Sequence, residues 1–167
     1  LGPVLTLTVL PRYTYRVEGD GSVTITGYVV TGDRFMLPSE LDGMKVSGIA
    51  TGAVSSAGLV SVLVPASVTN IEAQAFAGSD ALERAFFAGD APTAPGTLFD
   101  GMSLTVYYMP GTDGWGGTFG GRPAVLWNPA VQSGATFGFG PGGFGFKVAG
   151  TAGIPVMIEA VGNLCTG

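Results

Sequence analysis

The sequence predicts a mainly β fold: a short solenoid with one strand per turn, preceded by a β-hairpin and followed by a partial antiparallel β segment. Three observations carry this. Strand-like runs return at a nearly fixed interval: Leu59-Val-Ser-Val-Leu-Val-Pro65, then Leu82-Glu-Arg-Ala-Phe-Phe-Ala88, then Leu104-Thr-Val-Tyr-Tyr-Met-Pro110. The segments between them repeat at the same interval, since Val46, Ile49, Ala53 and Val54 are answered in order by Val68, Ile71, Ala75 and Phe76. The composition agrees: 29 glycines and 11 prolines punctuate 167 residues of which 46% are hydrophobic and 11% charged. Glycine, aromatics and β-branched residues spread along the whole chain mean many short strands joined by tight turns, with enough apolar material to exclude disorder.

The opening LGPVLTLTVLP (residues 1–11) is apolar and uncharged, and fits either a first strand or the tail of a signal-peptide apolar region. Residues 12–30 form a hairpin. Tyr13, Tyr15 and Val17 share one face of its first strand, Gly19-Asp20-Gly21 makes the turn, and Val23, Ile25 and Tyr28 share one face of the second. A glycine in that turn is expected to need a positive φ. Phe35-Met-Leu-Pro38 opens the repeats as the counterpart of Val62 to Pro65. The interval between these two is longer than the others, and an insert around Leu41 to Lys45 accounts for the excess. The repeats occupy 35–110. Residues 111–127 close the array, with Trp115, Phe119 and Trp127 expected to cap the last turn rather than to stack on a sugar, because an open terminal repeat exposes its core. The array domain thus runs from 12 to 127. After Trp127, residues 128–167 give about three strands, fewer than a sandwich needs, so a domain that stops midway is expected there.

A turn of roughly 22–23 residues cannot bury its own apolar face, so neighbouring turns must stack. Leu59, Val62 and Val64 pack on Leu82, Ala85 and Phe87, and these on Leu104, Tyr107 and Met109. One short strand per such period is the signature of a leucine-rich-type solenoid. The stretch VPASVTNIEAQAFAGSDALERAFFAGDAP resembles the BspA-like leucine-rich repeat, whose turn runs roughly Pro-x-x-Val-x-x-Ile-x-x-x-Ala-Phe before a leucine-led strand. The TITGY hairpin and the closing YYMPGTDGWGGTFGGRPAVLW resemble the flanks of such arrays in bacterial secreted proteins, and the segment 128–167 resembles the opening of a small β-sandwich that follows some of them. Two departures stand out: Val54 replaces the family's Phe, and the first repeat carries the insert. The resemblance implies an extracellular or cell-surface protein that binds protein or adheres.

Several chemistries are disfavoured. The net charge is −5, and the seven basic residues (Arg12, Arg16, Arg34, Lys45, Arg84, Arg122, Lys147) form no stripe that could neutralise a phosphate backbone or anchor to an anionic membrane. No apolar run reaches the roughly 20 residues of a membrane helix. Histidine is absent, which removes the commonest general base and zinc ligand. The one cysteine, Cys165, has no partner in the chain and is expected either to be a loose thiol or to pair beyond residue 167.

Gly138-Phe-Gly140-Pro-Gly-Gly143 matches G-x-G-x-x-G, but strand-like segments flank it on both sides, so a glycine-rich hairpin is expected instead of a nucleotide loop. A serine nucleophile would need Lys45 or Lys147, neither in a recognisable motif. The carboxylate pairs Asp80/Glu83 and Glu40/Asp42 read as solvated surface charge, and Gly19-Asp20-Gly21 and Gly32-Asp33 as turn chemistry rather than calcium loops. No cofactor, metal or catalytic residue is expected.

What remains is a surface. If Val62/Val64, Ala85/Phe87 and Tyr107/Met109 point inward, the opposite face carries Met36, Leu63, Phe86 and Tyr108, flanked by Ser61, Arg84 and Val106. An apolar and aromatic ladder on that face is either a contact site or a surface covered by the N-terminal strand or by residues 128–167. Met36, Leu63, Arg84, Phe86 and Tyr108 are the candidate contacts for a protein or surface-glycan ligand. The function expected is a non-enzymatic binding or adhesion module, with a structural spacer for a larger surface protein as the alternative.

Overall fold

The computed structural model describes residues 13–30 and 32–128, with the short stretches 130–132, 138–140, 143–145 and 147–150 beyond them. The chain divides into two compact units, Leu1–Val125 and Leu126–Gly167. Among the described residues every regular element is a strand.

The first unit opens with β1 (Tyr13–Val17) and β2 (Val23–Tyr28), an antiparallel hairpin. Gly21 takes φ 82° in its turn, where its N–H bonds the Glu18 carbonyl, as the Gly-Asp-Gly sequence requires. A shift in register between Thr14 and Tyr15 bends β1, and Val17, expected on the apolar face, is 58% exposed. Then come β3 (Arg34–Met36), β4 (Glu40–Leu41), β5 (Met44–Ile49), β6 (Ser61–Val64), β7 (Asn70–Ile71), β8 (Arg84–Phe87) and β9 (Thr105–Tyr108). Then follow β10 (Thr118–Phe119) and β11 (Arg122–Leu126).

These strands wind a β-solenoid of about four turns. Each full turn places one strand on each of two sheets. On the first sheet β2, β5 and β7 run parallel, pairing Ile25 with Ile49 and Ile49 with Ile71, and an Asn70–Thr93 bridge carries the ladder into the fourth turn. On the second sheet β3, β6, β8 and β9 run parallel, with Phe35, Val62, Ala85 and Val106 in one row. The periodicity anticipates the second sheet. Of the first sheet, β2 is anticipated as the hairpin's second strand, whereas β7 lies in what the sequence presents as a connecting segment and is too short, Asn70 and Ile71 alone, to leave an alternation to detect.

The core follows from stacking. Val46, Ile49, Ala53 and Val54 lie directly against their counterparts Val68, Ile71, Ala75 and Phe76, and all of them are buried. Phe76 stacks on Phe99 of the next turn at 5.5 Å. The insert is β4 with the start of β5, a tight hairpin whose turn, Asp42-Gly43, has φ of 51° and 76°, left-handed values that Asp and Gly tolerate. Its Asp42 carboxylate accepts a hydrogen bond from the Tyr15 hydroxyl.

Different hairpins close the two ends. At the start, Tyr28 stacks on Phe35 and packs tilted against Tyr13, with ring centroids 3.9 and 4.6 Å apart. At the end, Trp115 and Phe119 pack against Phe87 at 5.2 Å each, and the Trp115 indole N–H donates to the Gly89 carbonyl. Trp127, expected in the same cap, belongs to the second unit.

The second unit is described through two antiparallel pairs, β12 (Ala130–Gln132) with β15 (Lys147–Ala149), and β13 (Gly138–Gly140) with β14 (Gly143–Gly145). The G-x-G-x-x-G glycines sit on the paired strands of a hairpin and lead into no helix among the described residues. Residues 1–11 and Cys165, and most of the expected partial sandwich, lie outside the described residues.

Candidate functional site

Two rows of side chains face outward on the second sheet. One is Met36, Leu63, Phe86 and Tyr107; the other is Arg34, Ser61, Arg84 and Thr105. Between them runs the inward row of Phe35, Val62, Ala85 and Val106, which is buried throughout. Met36 is 68% exposed, and Leu63 and Tyr107 are half-buried. Phe86 and Tyr107 stack at 5.1 Å, 20° from coplanar.

Met36, Leu63, Arg84 and Phe86 therefore occupy the face expected of them, and Tyr108 does not. Tyr108 pairs with Phe87 on the inward row and stacks on Trp115 at 5.0 Å. Tyr107 takes its place outside, and Val106, expected to flank the ladder, is fully buried.

The displacement has a local cause. In the second and third turns an extra residue separates the buried leucine from the strand. There the Asp33 carbonyl accepts from both Val60 and Ser61 N–H groups, and the Val60 carbonyl from both Glu83 and Arg84. In the fourth turn the Glu83 carbonyl accepts from Thr105, and Met102, Leu104 and Val106 alternate inward without interruption. One residue fewer moves every later side chain to the other face.

One outward row of this sheet carries two arginines, Arg34 and Arg84. Arg84 pairs with Glu83 at 2.9 Å, while Arg34 is exposed and makes no ion pair among the described residues. At the end of β3 and β6 lies an open groove of about 430 Å³, walled by Leu37, Pro38, Leu63, Pro65 and Ala66, with Met36 at its mouth and Glu40 on its rim.

The acidic pairs do not converge. Asp80 lines a cleft of about 480 Å³ on the connecting-loop side, whereas Glu83 borders a different hollow beside Arg122 and Pro123. Asp100, one turn on from Asp80, shares the first cleft. The sequence gives no sign of that companionship, because the two carboxylates come from different turns and neither belongs to a motif. Asp42 is taken by Tyr15, and Glu40 sits opposite Lys45 across the hairpin. Asp20 accepts from the backbone and hydroxyl of Ser22, bonds that hold its carboxyl below the usual range. Among the described residues no three acidic or thiol groups gather as a metal site would need.

The first sheet carries the densest polar network among the described residues. Arg16 bridges Glu18 and Glu72 at 2.8 Å each, Thr24 donates to Glu18, and Glu72 also accepts from the Thr51 backbone at 3.0 Å. These bonds lower both carboxyls, for Glu72 chiefly through Arg16 and for Glu18 chiefly through Thr24. Both carboxylates are engaged internally, so the network clasps the hairpin to the second and third turns.

No family model matches the chain, and no curated protein does. Solved structures do. A leucine rich cell surface protein from Faecalibacterium prausnitzii A2-165 is 21% identical, with a TM-score of 0.42 over 64% of this chain and 33% of its own. A Leucine Rich Repeat protein from T. pallidum is 26% identical, with a TM-score of 0.42 over 60% of this chain and 53% of its own. The chain thus spans between a third and about half the length of these structures.

Proposed function

We propose that this chain is a secreted or cell-surface binding module whose second sheet offers a rigid contact face to a partner protein. The observation that carries the proposal is the outward row of Met36, Leu63, Phe86 and Tyr107, held in register by four parallel strands. Strand neighbours lie about 4.8 Å apart, so the row is a preorganised strip that loses little side-chain freedom on contact. Apolar and aromatic groups flanked by arginine have the composition of interface hot spots. Aliphatic Met36 and Leu63 offer nothing to sugar hydroxyls, which favours a protein partner over a surface glycan. The extracellular setting is supported by the resemblance of the 64–92 segment to a repeat of secreted bacterial proteins. The absence of histidine and the separation of Asp80 from Glu83 support a non-enzymatic role.

The test is an array of purified extracellular-matrix proteins and glycans probed with the labelled chain and with Leu63→Ser. A specific signal that falls by about tenfold in the variant, with Tm shifted by less than about 5 °C, supports the proposal. An array without signal, or a signal indifferent to Leu63→Ser, overturns it; a spacer gives the first of these.

A further inference from the structure

The caps protect the second sheet unequally. At its far end β11 lies beside β9 and β10 beside β11. At its near end the sheet stops at β3, and no described strand pairs with the outer side of Arg34–Met36. The direction of the backbone groups there is fixed by the bonds already made. The Asp33 carbonyl accepts from the second turn, and the Leu37 N–H donates to the Leu63 carbonyl at 3.0 Å. In a parallel ladder alternate residues bond to opposite sides. Asp33, Phe35 and Leu37 therefore face β6, and the N–H and C=O groups of Arg34 and Met36 face the open edge.

We infer that this edge takes an extended segment of a partner protein, added antiparallel as a further strand. Paired donors and acceptors on alternate residues are matched by the backbone of another strand, and an antiparallel edge strand is a common addition to a parallel sheet. The side chains beside the edge specify the rest. Met36 opens onto the apolar groove of Leu37, Pro38, Leu63 and Pro65, which accepts an aliphatic side chain from the added strand. Arg34 is exposed at the start of β3, without an ion pair among the described residues, and Glu40 is exposed on the groove's rim beyond the strand's end. An antiparallel segment complementary to both has a cationic residue toward its N-terminal end, alternating apolar residues, and a carboxylate toward its C-terminal end. This names the kind of partner at one end of the face proposed above; that the added segment belongs to a partner protein rests on that proposal, while the open edge rests on the strand pairing alone.

The probe is a labelled peptide of about seven residues, alternating valine and threonine, with lysine at its N-terminal end and glutamate at its C-terminal end. Binding is followed by fluorescence anisotropy and by amide exchange at Arg34 and Met36. Saturable binding is expected, with slowed exchange at both amides. A peptide with a central proline should bind at least about tenfold more weakly, because it loses a ladder donor and the strand conformation. Arg34→Glu should weaken binding similarly, and a peptide carrying lysine in place of the glutamate should recover it. Slow exchange at Arg34 and Met36 in the free monomer means that the chain already covers its own edge, and overturns the inference. So does protection that appears only as the chain dimerises, or equal binding of the proline peptide. Failure of the peptide alongside a Leu63-dependent array signal removes this inference alone. An array without signal alongside edge-specific peptide binding removes the contact-face proposal and leaves the edge site standing.

Discussion

Ser67 sits where the chain leaves β6, its hydroxyl oxygen buried and without a hydrogen-bond partner among the described residues. A second serine shows what such a group costs. Ser79, fully buried between β7 and β8, donates to the Val54 carbonyl at 3.2 Å and accepts from the Ser56 N–H at 3.1 Å, so its burial is compensated. Removing an unsatisfied buried hydroxyl is neutral or favourable, whereas removing a satisfied one strands its partners. Ser67→Ala is expected to leave stability unchanged or raise it by up to about 1 kcal/mol, and Ser79→Ala to lower it by about 1–2 kcal/mol, both read from denaturant midpoints. Sequence does not distinguish the two serines, since each follows an apolar run and only the turn geometry decides which has acceptors in reach.

Glu72 belongs to the same scale. Its carboxyl is held below its ordinary 4.5, as is that of Glu18, and Asp20 lies below its ordinary 3.8. A carboxyl whose value is depressed in the folded state contributes stability above its unfolded value and loses it as pH falls through the folded one. Tm is therefore expected to stay flat from about pH 7 to 5 and to fall progressively below about pH 4. Glu72→Gln should flatten part of that fall. Its cost at neutral pH should be small and further reduced by salt, because the Arg16 pair is half exposed.

At the scale of the element, the turns are set by what each can stack against the next. A side chain at Gly89 would place its Cβ 2.6 Å from the Ala66 Cα, one turn below. That atom is backbone and cannot swing away. Gly89→Ala is expected to force the turns apart locally and to destabilise by about 1–3 kcal/mol, measured by chemical unfolding. Gly96→Ala, with open space at its Cβ, is the matched control and should change little.

The legibility of the elements follows the same logic. β6 and β8 are readable because Val62/Val64 and Ala85/Phe87 alternate with half-exposed residues along each strand. The insert is readable from the lengthened interval between Phe35 and Val62, and its Asp42-Gly43 turn is a sequence signal in its own right. The register of β9 is not readable from the leucines. Leu104 stands where the recurrence of Leu59 and Leu82 leads one to expect it, yet the strand pairing sets Thr105, and not Val106, opposite Arg84. An anchor residue ahead of a strand says nothing about the strand's register once the extra residue between them is lost. The alternation Met102, Leu104, Val106 is the available clue, and it is clear only when read within the turn instead of against its neighbour.

At the scale of the whole molecule, the solenoid turns two short sheets into surfaces with opposite characters. The first faces outward through an internally satisfied network of Arg16, Glu18 and Glu72. The second faces outward through an apolar row and two arginines. That asymmetry is the basis for assigning contact to the second. It is only partly legible in the sequence: Met36, Leu63, Arg84 and Phe86 follow from alternation, and the exchange of Tyr107 for Tyr108 does not. The open edge at β3 is not legible, because which strands end a sheet depends on pairing over long sequence distances.

Tyr107 and Tyr108 are adjacent in sequence and lie on opposite faces of β9, so substituting each in turn separates contact from packing with least disturbance elsewhere. The decisive measurement is array binding and Tm side by side for Tyr107→Ser and Tyr108→Ser. Tyr107→Ser is expected to reduce binding by about tenfold while Tm moves by less than about 5 °C. Tyr108→Ser, which breaks the stack on Trp115, is expected to lower Tm by about 5–10 °C and to leave the binding of the folded fraction intact. Binding lost through Tyr108 and untouched by Tyr107 would contradict both the register and the contact face.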